Sequence, residues 1–508
     1  MPMPVNIRSF ITKHLDSLIA AIAGFFVVNI FTRYAGVGIS PDSIMYLSTA
    51  RNLNAHHGLI FFSGKPIVAF PVFFPIFLAI VQFITHTDVL ALASTLTGLM
   101  FASVIFLSGV VMEGFTYPSK LYKWFILIAL VLSPSLLEIY SMLWSETLFM
   151  VLMLLFFIAY KNYLDTHSIK ALLWVSAIAA IACITRYAAI TLVLTGGLLL
   201  LCDKQLNIRK KISHIFLFGG ISVSLLIVNI IRNSLVTHTG TGPRYKSVTS
   251  LSQNMHYTGT VFCDWFTLTE KQYGWAIIIT ALLVLAFSGI FLYNTLVRKA
   301  RFTTYENIII TYFIACSLFM ILWATVNKFE TLNNRLLSAL FIPFLLGCTY
   351  WLPMVLKYSR SRFRLIAITL ATCVGLIFIY NEYNIDYQRY YDQGDYGVPG
   401  FTDDSWNKSP LVATLKKPNL FKAGYPIYNN LCEGFYFFTG KGSEYIPNID
   451  SAKQIKKFYA QKHFYIVYFD QLPDKALFTL KQVQQQRPLK TIFQCPDGGI
   501  YEYNEKKK

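Results

Sequence analysis

Five ionisable residues stand at the margins of strongly apolar runs: Asp42, Lys65, Glu146, Arg186 and Arg335. A carboxylate at the edge of a low-dielectric region can take a proton from a hydroxyl as general base. A lysine offers a phosphate a point charge, and an arginine offers it a planar fork of donors. Together these types suit group transfer from a phosphate-bearing donor. Each also has a plainer use. In Ser40-Pro41-Asp42 the serine is a good helix N-cap and the proline a good first helical residue, of a helix reaching about Leu53. Asp42 then either complements the helix dipole or serves as the base. Lys65, before Pro66, either snorkels to headgroups or meets a phosphate. Glu146, in WSETLF, is either a solvated helix-start residue or a functional carboxylate. Arg186, in a very short break between two apolar runs, either anchors the interface or pairs with Glu146 or a phosphate. Arg335 enters an apolar run from its outer end against the usual charge bias, which favours a phosphate role. His56, His57, Arg232, Arg244 and Lys246 read as solvated loop residues.

The elements that must position these groups are membrane helices. Hydrophobic residues make up 55% of the 508 and charged residues 14%, with mean hydropathy +0.49; a soluble domain carries about 25% charge. The formal net charge of +18 does not indicate nucleic acid, because the Lys and Arg form short clusters between apolar runs. Eleven segments read as spans: Leu15–Tyr34, Val89–Met112, Leu121–Ile139, Thr147–Tyr163, Ala171–Thr185, Tyr187–Cys202, Ile212–Ile231, Trp275–Leu296, Tyr305–Val326, Arg335–Leu356 and Leu365–Tyr380. Pro66–Ile84 is also apolar, but its prolines favour a helix lying at the outer interface. That choice puts Lys120 and Lys123, Lys161 and Lys170, Lys204 to Lys211, Arg298 to Arg301 and Lys357 to Arg364 on the inner side, with Arg8 and Lys13. The N-terminus is then cytoplasmic, with a retained first helix, and the C-terminus extracytoplasmic, in a plasma (inner) membrane.

The fold class expected is therefore a polytopic α-helical membrane protein of about 11 spans with a small C-terminal α/β extracytoplasmic domain. A transmembrane part covers 1–380, with a first outer loop at 35–88 and a second at 232–273; the soluble domain covers 381–508. In it, Pro426–Asn429 and Phe464–Phe469 read as strands and Ser451–Lys462 as a helix. Leu489–Gln494 and Ile500–Tyr503 read as a hairpin around Pro496-Asp497-Gly498-Gly499. Cys432 and Cys495 fall in this domain and could pair there. No phosphate-binding glycine loop, GxSxG or HExxH is present.

In order, spacing and side, these motifs resemble the C-type superfamily of membrane glycosyltransferases (GT-C), and within it bacterial relatives of protein O-mannosyltransferases and of the aminoarabinose transferase that modifies lipid A. The resemblance covers about Leu15–Leu356. It rests on Asp42 followed by Tyr46, Ala50 and Arg51; on Lys65-Pro66 with Phe70 to Pro75; on Ser133-Pro134 before Glu146; on Arg186; and on Arg335 to Pro343. It implies sugar transfer with inversion from a polyprenyl-phosphate donor to a glycan, lipid or protein acceptor at the outer face. Asp42 would be the base, Lys65, Arg186 and Arg335 would hold the donor phosphate, and Tyr46, Arg51 and Glu146 are further site candidates. Where many relatives have two adjacent acidic residues this chain has Asp42-Ser43, and Gly64 precedes Lys65. No cofactor is obligatory on this reading; a divalent cation, Mg or Mn, stays an option. The competing readings are a lipid-linked saccharide flippase, a polysaccharide polymerase or ligase, and a membrane anchor for the soluble domain. A flippase would place its ionisable groups at mid-membrane, whereas these sit at helix ends.

Overall fold

The computed structural model describes residues 7–505 apart from positions 243, 269, 329, 359, 360 and 473. Arg360 and Lys508 lie outside the described residues, as do the side chains of Arg8 and Arg362. The chain divides into two compact units. The first comprises 1–33, 68–74 and 92–392; the second comprises 34–67, 75–91 and 393–508.

The first unit is helical. Eight helices of the described chain are long and apolar enough to cross a membrane, among them Val89–Glu113, Ser145–Thr166, Ile208–Thr237 and Tyr305–Val326. A ninth crossing is available from Lys120–Val131 and Pro134–Tyr140, which meet at 51°. The expected single span Leu121–Ile139 is therefore broken. Pro134 has no N–H to continue the helix and forces Ser133 into an extended conformation, where it caps the Leu136 amide. Ile169–Thr185 and Tyr187–Cys202 are apolar but shorter.

Ser145–Thr166 and Tyr305–Val326 form the packed centre of this unit. Phe156, Phe157, Tyr160 and Tyr163 of one and Tyr312 and Phe313 of the other are fully buried. Ser361–Tyr396 is the opposite case. Its Leu365, Ile366, Leu370, Val374 and Ile377 are exposed, as on a helix facing lipid. This helix also runs 36 residues, past the expected stop at Tyr380, because polar residues end an apolar run without ending a helix. The second outer loop carries its own helix, Leu251–Trp265, closed by a capping box between Ser250 and Gln253. Gly259 lets that helix approach Ala276–Leu296: a Cβ there would lie 1.9 Å from the Ala276 carbonyl oxygen. Lys123, read above as a cytoplasmic loop cation, is instead buried against Asp16 at 2.6 Å and against Glu113, which also binds His14.

The second unit joins the first outer loop to the C-terminal residues. Its sheet has strands β1 (Ile427–Asn429), β2 (Glu444–Tyr445), β3 (His463–Phe469), β4 (Lys490–Cys495) and β5 (Gly498–Asn504) in the order β2-β1-β3-β5-β4. β1 is parallel to β2 and β3; β5 is antiparallel to β3 and β4. The expected strands, the hairpin and a helix at Ala452–Tyr459 are all present. Tyr428, Phe458, Phe464, Ile466, Tyr501 and Tyr503 build the core. Cys432 and Cys495 are both free thiols. The two sequence-distant parts are stitched by hydrogen bonds: the Phe401 amide donates to the Ile39 carbonyl at 2.8 Å, and the Thr402 hydroxyl to the Val37 carbonyl at 2.9 Å. Gly400 makes this approach feasible, with φ +136° and room for no Cβ, which would lie 2.6 Å from the Ile39 carbonyl oxygen.

These bonds constrain the topology. Arg51 and Asp88 are paired, although an apolar helix, Phe73–Thr85, lies between them in sequence. Both ends of that helix are therefore on one side of the membrane, and it does not cross. It begins at Phe73 because Pro66 and Pro71 cannot donate the bonds a longer helix needs, so it is shorter than the expected Pro66–Ile84. The first loop and the chain's last residues also share a side, which requires an odd number of crossings. The bent pair with the eight long helices gives nine; the two shorter helices, if both cross, give eleven.

Candidate functional site

Asp42 is set by its own helix. Ser40 accepts from the Ser43 amide at 3.4 Å and Ser43 accepts from the Ser40 amide at 3.2 Å, so the first turn of Pro41–Asn54 is locked. Asp42 projects half-buried from this turn. Tyr46, one turn on, is buried. Arg51 forks onto Asp88, with Nε to Oδ2 at 2.8 Å and Nη2 to Oδ1 at 3.1 Å. Burial alone would raise the Asp88 carboxyl, but the Arg51 bond and the Leu90 amide outweigh it and hold it below the usual carboxylate range. Arg51 is thus a brace with an internal counter-charge.

Lys65 sits in a tight loop. The Phe61 amide donates to the Lys65 carbonyl at 3.0 Å, the Gly64 amide to the Phe61 carbonyl at 2.8 Å, and the Ile67 amide to the Leu59 carbonyl at 3.1 Å. Gly64 takes φ +75° to close it. The Lys65 side chain is exposed, with no ion pair among the described residues. It lines a cavity of about 330 Å³ together with Met45 of the Asp42 helix, Phe62, Ser443, Glu433 and Tyr445. Tyr445 donates its hydroxyl to Glu433. Burial pushes the Glu433 carboxyl up, and the nearby charge of Asp42 adds to the rise.

In the first unit three sequence candidates converge. Glu146, 2% exposed, accepts from Arg186 at 2.6 Å and from Arg335 at 2.8 Å. Arg186 also donates to the Ser145 hydroxyl at 3.1 Å, and Arg335 lies 4.2 Å over the Trp144 ring. The short break at Arg186 and the N-cap Asn333 before Arg335 aim the two guanidiniums at one carboxylate. One anion between two cations leaves one net positive charge in a largely desolvated place. Such a charge suits a further anion.

No family profile matches the chain, and no curated protein matches it in sequence. Solved structures do match. The crystal structure of ArnT from Cupriavidus metallidurans bound to undecaprenyl phosphate aligns with a TM-score of 0.56 at 11% identity, over 96% of this chain and 97% of that one. The apo form of the same protein aligns at 0.55 and 12% identity, over 98% of each chain. The fold is that of these ArnT structures. The likeness spans 98% of the chain, including the small C-terminal sheet.

Sequence reasoning found the three residues of the Glu146 cluster but not its Trp144 and Ser145 supports. It missed Asp88, Glu433 and Tyr445 altogether. Glu433 and Tyr445 carry no local motif, and they meet the first loop only through tertiary folding. Among the described residues no group of three or more His, Cys, Asp and Glu side chains gathers as a metal would require.

Proposed function

We propose that the chain is an inverting glycosyltransferase that moves a sugar from a polyprenyl-phosphate donor to an acceptor hydroxyl at the outer face of the membrane. The observation that carries the reading is the likeness, over nearly the full chain, to a structure holding undecaprenyl phosphate. Asp42 takes the proton of the acceptor hydroxyl. The acceptor oxygen then bonds to the anomeric carbon as the carbon–oxygen bond to phosphate breaks, and the polyprenyl phosphate leaves with the electron pair. Lys65, exposed and without an ion pair among the described residues, is assigned to that phosphate; Arg186 and Arg335, which share Glu146 in the other unit, are further phosphate-binding candidates. Glu146 sets the two arginines; Tyr46 and Arg51 hold the Asp42 helix in place. No step is routed through a divalent cation. The N-terminus is assigned to the cytoplasm and the C-terminal domain to the outside.

The experiment is transfer by the purified protein, with envelope extract as the source of donor and acceptor. Asp42→Asn keeps the capping geometry and removes the base, and is expected to abolish turnover while the protein folds and elutes normally. Wild-type turnover by this variant would remove Asp42 from the chemistry.

A further inference from the structure

The cavity beside Lys65 has two kinds of wall. One is a set of hydrogen-bonding groups: Glu433, Ser443, Tyr445 and the ammonium of Lys65. The other is aromatic, with Phe61, Phe62 and Tyr428. Phe62 is itself held rigid by stacking on Tyr436, ring centroids 5.1 Å apart, and by its amide donating to the Ser48 hydroxyl at 3.2 Å. A ring bearing several hydroxyls, with apolar C–H faces, is the ligand that uses both walls at once. The volume, about 330 Å³, is at the small end for ligand sites and fits one sugar ring rather than a chain of them.

The C-terminal domain supplies Glu433, Ser443 and Tyr445, whereas the first loop supplies Lys65. A cation and a hydroxyl-recognising wall in one cavity match a sugar joined to a phosphate. We propose that the C-terminal domain reads the donor's sugar, with Glu433 and Tyr445 as specificity-determining residues that hydrogen-bond its hydroxyls while Lys65 meets its phosphate. This deepens the glycosyltransferase reading and rests on it. Glu433 already accepts from Tyr445 and retains acceptor capacity facing the cavity. A pocket built to bond hydroxyls rejects ligands lacking them strongly, because its own polar groups would otherwise be left unpaired.

The test is binding to the full-length purified protein in nanodiscs by ligand-observed NMR. The probes are a panel of hexose and pentose 1-phosphates, inorganic phosphate and undecaprenyl phosphate. At least one sugar phosphate is expected to bind about tenfold or more tighter than inorganic phosphate and to be displaced by undecaprenyl phosphate. Glu433→Ala should erase that margin and Tyr445→Phe should reduce it, both with undecaprenyl phosphate affinity unchanged, which also shows that the variants fold. A margin that survives Glu433→Ala, or no margin in the wild type, overturns the inference alone. A sugar phosphate that undecaprenyl phosphate does not displace overturns the donor assignment in favour of an acceptor site. Failure of the wild type to bind undecaprenyl phosphate removes the underlying reading, and this inference with it.

Discussion

Glu146→Gln and Arg335→Ala should fail in opposite ways. The cluster holds one carboxylate and two guanidiniums, with Glu146 2% exposed. Glu146→Gln removes the carboxylate that both guanidiniums share. Breaking a buried pair by removing one partner costs about 3–5 kcal/mol. Arg335→Ala leaves a balanced Glu146–Arg186 pair, so the folding cost is mainly the lost contact with Trp144, about 1–2 kcal/mol. For the donor the order reverses. Arg335→Ala removes the surplus positive charge, and a charged hydrogen bond to phosphate is worth about 1.5–3 kcal/mol, or about 10- to 150-fold in Kd. Glu146→Gln keeps both cations and should bind phosphate no worse wherever it folds. The assays are thermal unfolding in detergent and titration with undecaprenyl phosphate. Equal destabilisation by the two variants would refute the charge accounting. Unchanged affinity in Arg335→Ala would refute the phosphate assignment.

Three further outcomes are expected. Gly400→Ala forces a Cβ to within 2.6 Å of the Ile39 carbonyl at a φ of +136°, so it should cost about 1–3 kcal/mol and render the C-terminal residues protease-sensitive; a protease pattern like wild type would show that the backbone yields there. Because the Glu433 carboxyl is raised in the folded state, the folded protein holds its proton more tightly than the unfolded chain. Its stabilising contribution is therefore complete below the ordinary glutamate range and is lost as pH rises through the folded value. Glu433→Gln should flatten that segment of the pH–stability curve, and a curve identical to wild type would contradict it. A tag fused after Lys508 should be labelled by an impermeant reagent in intact cells; labelling only after lysis would invert the proposed sidedness.

Much of the fold was legible because the bilayer imposes long apolar helices whose signal is local. The eleven apolar segments are largely helical, with breaks at Leu132–Ser133 and Tyr350–Trp351, and the strand and hairpin signals of the C-terminal domain lie where composition put them. The Ser40-Pro41 start is likewise a local capping rule. What escaped was tertiary or depended on a competing local rule. Ser133-Pro134 interrupts an apolar run whose hydropathy alone looks continuous. Ser250 and Gln253 cap a helix inside the second loop, 232–273, to which no helix was assigned. Lys123 counts as a loop cation until Asp16 and Glu113 are seen around it. The candidate residues divide in the same way. Glu146, Arg186 and Arg335 were visible as charges at apolar margins, whereas Glu433 and Tyr445 belong to a soluble domain where charge is commonplace.

The stitching of Val37 and Ile39 to Phe401 and Thr402 joins positions more than 300 residues apart. A ribosome delivers the first loop early and its partners near the end, after the last helix has entered the membrane. Throughout that interval the loop carrying Asp42 and Lys65 must wait with its backbone groups unmet and its aromatic side chains uncovered. Closing so long a loop is slow and leaves intermediates exposed to misassembly. The pocket therefore comes into being only once synthesis is essentially complete, and a prematurely terminated chain would insert its helices yet never acquire the walls that hold a ligand.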